Sequence, residues 1–204
     1  MEDLTLREAF VLGIIPLISG LILASITWLV TSMYYKFYKR PKIEVEFDPS
    51  SPGCITQTQF NNHQGAKFIR IGVKNTGNQL AENVEVRVSG VWKQDESSQF
   101  HRIIFDPLCL RWAYSHEART ALNPRLPLQY VDLLHIRQDN RYIQPCFIVG
   151  TPNNLIEKLT KGKFIFSVSI FCTNGSPAII NLLIRWNEEF PDLTAEVYAG
   201  KLPS

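Results

Sequence analysis

The chain has 204 residues, with 21 Lys and Arg against 19 Asp and Glu, for a formal net charge of +2. The excess sits in residues 36–42. The 162 residues from Ile43 onward carry 16 charges of each sign, a neutrality that argues against general nucleic-acid binding, which needs a basic surface.

The chain opens with Glu2, Asp3, Arg7 and Glu8, then runs from Ala9 to Tyr35 without one Asp, Glu, Lys or Arg. A spanning helix needs about 20 apolar residues, so this run predicts a transmembrane helix, with Gly13 and Pro16 tolerable inside lipid. A buried core helix of that length would carry a polar stripe. A cleaved signal peptide would have a basic start, a shorter apolar run and a small-x-small site. The segment is therefore read as an uncleaved single-pass anchor.

Lys36, Lys39, Arg40 and Lys42 follow at once and set the orientation: basic flanks stay in the cytoplasm. This places residues 1–8 outside, residues 9–35 in the bilayer with an aromatic belt, a basic linker at 36–42, and the domain 43–204 in the cytoplasm. Trp28, Tyr34, Tyr35, Phe37 and Tyr38 form the belt, and Lys36, Lys39 and Arg40 meet the headgroups. Gly20 and Ala24 stand four apart on one helix face, with Gly13 seven residues before Gly20. Small residues at this spacing permit close helix–helix approach, and so allow a homo-oligomer through the bilayer.

Beyond Pro41, Ile43–Phe47 alternates apolar and polar residues as a half-buried strand does. Residues 48–53 read as a loop, Lys67–Lys74 as a strand with Ile69, Ile71 and Val73 on one face, and residues 75–78 as a turn. Asn83–Ser89 alternates again, with Val84, Val86 and Val88 inward and Glu85 and Arg87 outward. Ile103–Phe105, Leu108–Trp112, Val131–Ile136 and Cys146–Val149 follow as shorter strands. Thr151-Pro152 caps one or two helical turns over Asn153–Leu159. Lys163–Phe171, Ala178–Trp186 and Leu193–Tyr198 complete a pattern of eight or nine strands and one short helix. That pattern predicts a mainly β domain, an antiparallel β-sandwich of immunoglobulin-like type.

The run Phe68-Ile69-Arg70-Ile71-Gly72-Val73-Lys74-Asn75-Thr76-Gly77, followed by Ala81-Glu82-Asn83-Val84, resembles a hairpin common in prokaryotic β-sandwich modules. With Asp106-Pro107-Leu108-x-Leu110-Arg111-Trp112-Ala113 and Arg185-Trp186-Asn187, the chain is similar to a broad group of uncharacterised prokaryotic membrane-anchored immunoglobulin-like β-sandwich proteins. The resemblance covers most of 43–197. It implies a fold and a tether, and no activity. Asn123-Pro124-Arg125-Leu126-Pro127 departs from the acidic or Gly-rich turn usual before the Val131–Ile136 strand.

Cys54, Cys109, Cys146 and Cys172 form no Cys-x-x-Cys pair, and in a cytoplasmic domain they are expected as reduced core thiols. No nucleophile elbow, phosphate-cradling glycine loop or His-Glu-x-x-His helix is present, so no catalytic group, cofactor or metal is assigned. Cys109, His116 and His101 are the one imaginable metal set. Trp92, Trp112, Tyr114 and Trp186 either line a groove or, more simply, fill the core. Arg102, Arg111, Arg119, Arg125, Arg137 and Arg141 fall within 40 residues that contain no lysine. Asp106, Glu117, Asp132 and Asp139 share the stretch and suggest structural pairing. An anion or nucleotide site is the alternative, because Arg presents a rigid fork to phosphate and carboxylate. Two functions follow: a membrane-tethered module binding a partner protein, or an effector gated by an anionic signal.

Overall fold

The computed structural model describes residues 6–59, 65–103, 105–115, 117–139, 142–151, 155, 159–190 and 192–203, and within the helix the side chains of 16–35. The chain divides into two units, Met1–Arg40 and Pro41–Ser204.

The first unit is the helix α1, Leu6–Tyr38. Its segment Pro16–Tyr35 is long and apolar enough to cross a membrane, and none of it is buried. Leu17, Leu21, Leu23, Ile26 and Trp28 are each more than half exposed. The polar side chains in this stretch satisfy themselves: Ser19, Ser25 and Thr27 donate to the carbonyls of Pro16, Leu21 and Leu23 at 2.8–2.9 Å. In hydrocarbon an unsatisfied hydroxyl would be costly.

The second unit is mainly β, with two antiparallel sheets in a sandwich-like arrangement. One sheet has five strands: β1 (Ile43–Glu46), β2 (Ile55–Gln59), β3 (Gly65–Asn75), β8 (Gln129–Arg137) and β9 (Gln144–Pro145). Its order is β1-β3-β8-β9, with β2 also on β3. The other has seven: β4 (Ala81–Gln94), β5 (Phe100–Ile103), β6 (Leu108–Cys109), β7 (Arg119–Leu122), β10 (Gly162–Phe171), β11 (Ala178–Trp186) and β12 (Thr194–Val197). Its order is β12-β11-β10-β4-β5, with β6 and β7 also on β4.

Alternation sends one face of each sheet into a shared core. Ile69, Ile71 and Val73 meet Val84, Val86 and Val88, together with Phe164, Phe166, Val168, Leu182, Ile184 and Trp186. Each such side chain contributes about 1.5–3 kcal/mol by leaving water. The segment after Pro107 binds the sheets to each other. Leu108 and Cys109 pair with β4, Leu110 bridges to Phe147, and Trp112 bridges to Val131 of the opposite sheet.

Several strands differ from the sequence reading. Among the described residues there are twelve rather than eight or nine; β2 and β7 are short edge pieces that the alternation does not signal. Leu108–Trp112 is not one strand, since the segment changes sheets midway. Cys146–Val149 is replaced by Gln144–Pro145 and the bridge at Phe147. The helical turns expected over 153–159 lie largely outside the described residues; Leu155 and Leu159 are described, and both are buried.

Three irregularities reset the alternation, one of them between β4 and β7, where Ala81 faces Leu122 and Val84 faces Thr120. Between β3 and β8, Ile69 faces Leu134 while Arg70 faces Asp132, leaving Leu133 as the extra residue. Asp132 and His135, three apart, therefore share the outer face with Arg70 and Phe68. Between β4 and β10, Gly90 faces Ser167 while Val88 faces Val168, so Arg87 and Trp92 share an outer face despite their odd spacing. Trp92 thus lies on the outer face, buried but apart from the main inter-sheet cluster, over Gly90, where a Cβ would come within 2.6 Å of its ring.

Candidate functional site

Two clusters of buried or half-buried polar side chains stand out in the β unit, both on outer sheet faces. On the five-stranded sheet, Arg70 lies opposite Asp132 and donates Nε–H to its Oδ1 at 2.6 Å, with both side chains about nine-tenths buried. Arg111 approaches the same carboxylate, Nε to Oδ2 3.6 Å. The Arg70 guanidinium also donates to Thr56 Oγ1 at 3.4 Å and to Tyr114 Oη at 3.2 Å. It sits between two rings, 5.3 Å from Phe68 and 5.2 Å from Tyr114. Phe68 in turn stacks on His135 at 5.0 Å. Tyr114 takes a left-handed φ of 68° and leaves 91% of itself exposed, so it caps this column rather than filling the core.

His135 Nδ1 and Cys146 Sγ lie 3.3 Å apart beside that column. Burial, reinforced by the charges of Arg137 and Arg111, pushes the imidazole down to about 4. Burial, with help from Asp132, pushes the thiol up to about 12. Both groups are neutral near pH 7, whereas a nucleophilic Cys–His pair works as thiolate and imidazolium.

The second cluster lies at the Ala81 end of β4. Glu85 and Arg87 alternate on one face, and the neighbouring β7 brings Arg119 opposite Glu85. Glu85 accepts from Arg87 Nε and Cys109 Sγ on Oε1, and from Arg119 Nε on Oε2 at 2.8 Å. Burial alone would raise its carboxyl, but these donors outweigh it and hold the group down to about 2. Glu85 points outward, as its alternation predicts, yet it is only 6% exposed because the two arginines cover it. The same burial and the Glu85 charge raise the Cys109 thiol. Around this ion group is a cavity of about 350 Å³, which Asn83, Phe171 and Thr173 also line.

The six arginines of the 102–141 stretch do not converge. Arg111 joins the first cluster and Arg119 the second. Arg102 lies over Trp92 at 5.7 Å, at the far end of β4. Arg125 is exposed in the turn that Asn123 Oδ1 closes by accepting from its backbone N–H. Arg137 is half-buried at the end of β8, opposite Ala66. Arg141 lies outside the described residues, as do His63 and His116. Arg70, Arg87 and Glu85 are the charged residues that sequence reasoning missed. The available signal was Glu85-x-Arg87, two opposite charges on one strand face.

Of the aromatic residues, Trp112 and Trp186 are in the core. Of the membrane-flank residues, Tyr34 and Tyr35 meet edge to face at 6.1 Å, and Lys39 Nζ sits 5.9 and 4.9 Å from their rings. Trp28 and Arg40 are exposed. Gly20 and Ala24 are exposed too, with open space beside the Gly20 Cα. Gly13 and Lys36 lie outside the residues whose side chains are described. His101 pairs with Asp95 at 2.7 Å, far along β4 from Cys109. Among the described residues no three His, Cys, Asp or Glu side chains gather as a metal set. All four cysteines are free thiols, Cys54 and Cys146 buried, Cys109 and Cys172 half-buried.

Fold and sites together define a β-rich unit that follows one helix long and apolar enough to cross a membrane. No protein-family model matches the chain, and no curated protein matches its sequence.

Proposed function

We propose that the protein is a single-pass membrane-anchored interaction module, with its immunoglobulin-like β-sandwich held at the cytoplasmic face to bind a partner protein. The observation that carries this reading is α1: its apolar side chains face outward along Pro16–Tyr35, and a cation–aromatic group of Tyr34, Tyr35 and Lys39 closes the end next to the basic flank. Trp, Tyr and Lys at such an end anchor helices at the headgroup level.

The test is alkaline carbonate extraction followed by thiol labelling. The protein should stay in the membrane pellet, and a cysteine placed at exposed Ser97 should react only after the cells are opened. Release into the carbonate supernatant would defeat the anchor, and labelling of intact cells would reverse the orientation. Affinity capture from gently solubilised membranes should then retain one protein in fixed stoichiometry.

A second reading is an effector in which an anionic or nucleotide signal binds the β unit and the helix self-associates through Gly13, Gly20 and Ala24. The cavity at Arg87 and Arg119 favours its first half.

A further inference from the structure

We infer that the cavity between β4, β7 and the β10–β11 turn is a binding site for a phosphomonoester, with the phosphoryl group between Arg87 and Arg119 and the organic group against Phe171. The inference rests on the anion-binding half of the second reading and not on gating.

Glu85 orients the cations without neutralising them. Its two oxygens accept from both arginine Nε atoms and from Cys109, which fills the carboxylate's inner face. One carboxylate offsets one guanidinium, so a positive charge remains at the cavity. A buried carboxylate needs only one good cationic partner to be stable. The second arginine is surplus to that need and is 63% exposed, and it has no further partner among the described residues. Both guanidinium groups are fixed at Nε and can present their remaining N–H groups toward the cavity.

Two forks arriving from different strands suit a tetrahedral oxyanion. A phosphoryl group offers a separate oxygen edge to each fork, whereas a planar carboxylate engages one. The rim supplies further polar groups. Asn83, in the left-handed region at φ 50°, donates Nδ2–H to Thr173 Oγ1 at 3.2 Å. That rim is built in advance: Thr173 N–H donates to Glu82 O, and the Asn174 side chain ties both Glu82 N and Leu80 O. A pre-formed rim lowers the ordering cost of binding.

Phe171 gives the site its second half. It is 44% exposed on the outer face, and the Arg87 guanidinium sits 5.9 Å from its ring. An apolar or aromatic ester group would cover that ring. The volume, about 350 Å³, is at the lower end of the range of about 300–1,000 Å³ for small-molecule pockets, which favours a compact monoester over a large ligand.

The probe is phenyl phosphate, titrated calorimetrically into the full-length protein in detergent micelles, with inorganic phosphate and benzoate alongside. Phenyl phosphate should saturate and bind more tightly than either comparison ligand. Arg119→Gln should weaken it about tenfold or more, since a charged fork is lost. Phe171→Ala should narrow the gap between phenyl phosphate and inorganic phosphate. Arg119 and Phe171 are exposed enough to change without unfolding the chain, which far-ultraviolet circular dichroism would verify. Absence of saturation by about 10 mM, equal affinity for benzoate, or binding unmoved by Arg119→Gln would overturn the assignment.

A second arm places the protein in nanodiscs with and without phosphatidic acid. Competition by that lipid against phenyl phosphate would name a headgroup as the source of the monoester; its absence would name a soluble one. Crosslinking with and without phenyl phosphate tests gating separately: an unchanged oligomer pattern alongside saturable binding removes the gated effector and leaves the site.

Discussion

Asp132→Ala should cost about 3–5 kcal/mol of stability, the usual result of stranding a buried charge. The Arg70 guanidinium cannot follow its charge to water. Its side chain is about one-tenth exposed, wedged between Phe68 and Tyr114, and its backbone is paired inside β3. Burial works against its charged form, and the Asp132 carboxylate, together with Tyr114, more than offsets that penalty. Without the carboxylate, Thr56 and Tyr114 remain as acceptors, both neutral and both at longer range. Replacing the pair together, Arg70→Met with Asp132→Leu, should bring stability back near the parent, because an apolar pair of similar volume removes both desolvation penalties. Arg111→Ala should cost no more than about 1 kcal/mol, since its contact with Asp132 is long and its side chain partly solvated. Guanidinium unfolding of the detergent-solubilised chain, followed by tryptophan fluorescence, gives all three numbers. A loss below about 1 kcal/mol for Asp132→Ala would mean that Arg70 finds water after all.

This column of residues also marks where the sequence stops being informative. Alternation is enough to see β1, β3, β4, β10 and β11, because each buries one face on the common core. Val84, Val86 and Val88 are inward as their spacing predicts. Alternation cannot see a bulge. A strict period of two puts Asp132 and His135 on opposite faces, and the extra residue Leu133 puts them on the same one. It likewise places Trp92 inward, whereas the irregularity near Ser89 turns it outward beneath Arg102. The strand β2, Ile-Thr-Gln-Thr-Gln, has one apolar residue and an exposed far end, so it is held by the β3 backbone rather than by burial and leaves no periodic signal.

The arginine-rich stretch shows the same limit at the level of a site. Residues 102–141 run through β5, β6, β7 and β8, which belong to two different sheets. Closeness in sequence is therefore distance in space. Arg111 and Arg119 are eight residues apart, yet they serve carboxylates on opposite sides of the sandwich, Asp132 and Glu85. The partners that complete each group, Arg70 and Arg87, come from strands earlier in the chain. Composition could flag an unusual cation and not its neighbours, because long-range pairing chooses them.

Acid should destabilise the β unit in two successive windows. His135 has an ordinary value of 6.5 and is held down to about 4 in the folded chain, first by burial and then by the charges of Arg137 and Arg111. Below pH 6.5 the unfolded chain takes up a proton that the folded chain refuses, so the stability present at neutral pH is lost progressively down to about pH 4. Glu85 has an ordinary value of 4.5 and a folded value of about 2. Its ionised form is the one the fold prefers, so its contribution is present above pH 4.5 and lost as pH falls toward 2. The His135 gap is worth on the order of 3 kcal/mol at about 1.4 kcal/mol per pH unit, and the Glu85 gap less, because solvent screens its partly exposed arginines. Stability measured by denaturant midpoint should therefore fall between pH 6.5 and 4.5 with a slope approaching one proton. His135→Gln should flatten that window while leaving the lower one in place. Glu85→Gln should do the converse, with a lower starting stability because Arg87 and Arg119 lose their shared anion. A midpoint unchanged from pH 7 to 4.5 would show that His135 protonates freely in the folded chain. That result would place water beside the Phe68–His135 stack, where the structure has packed side chains.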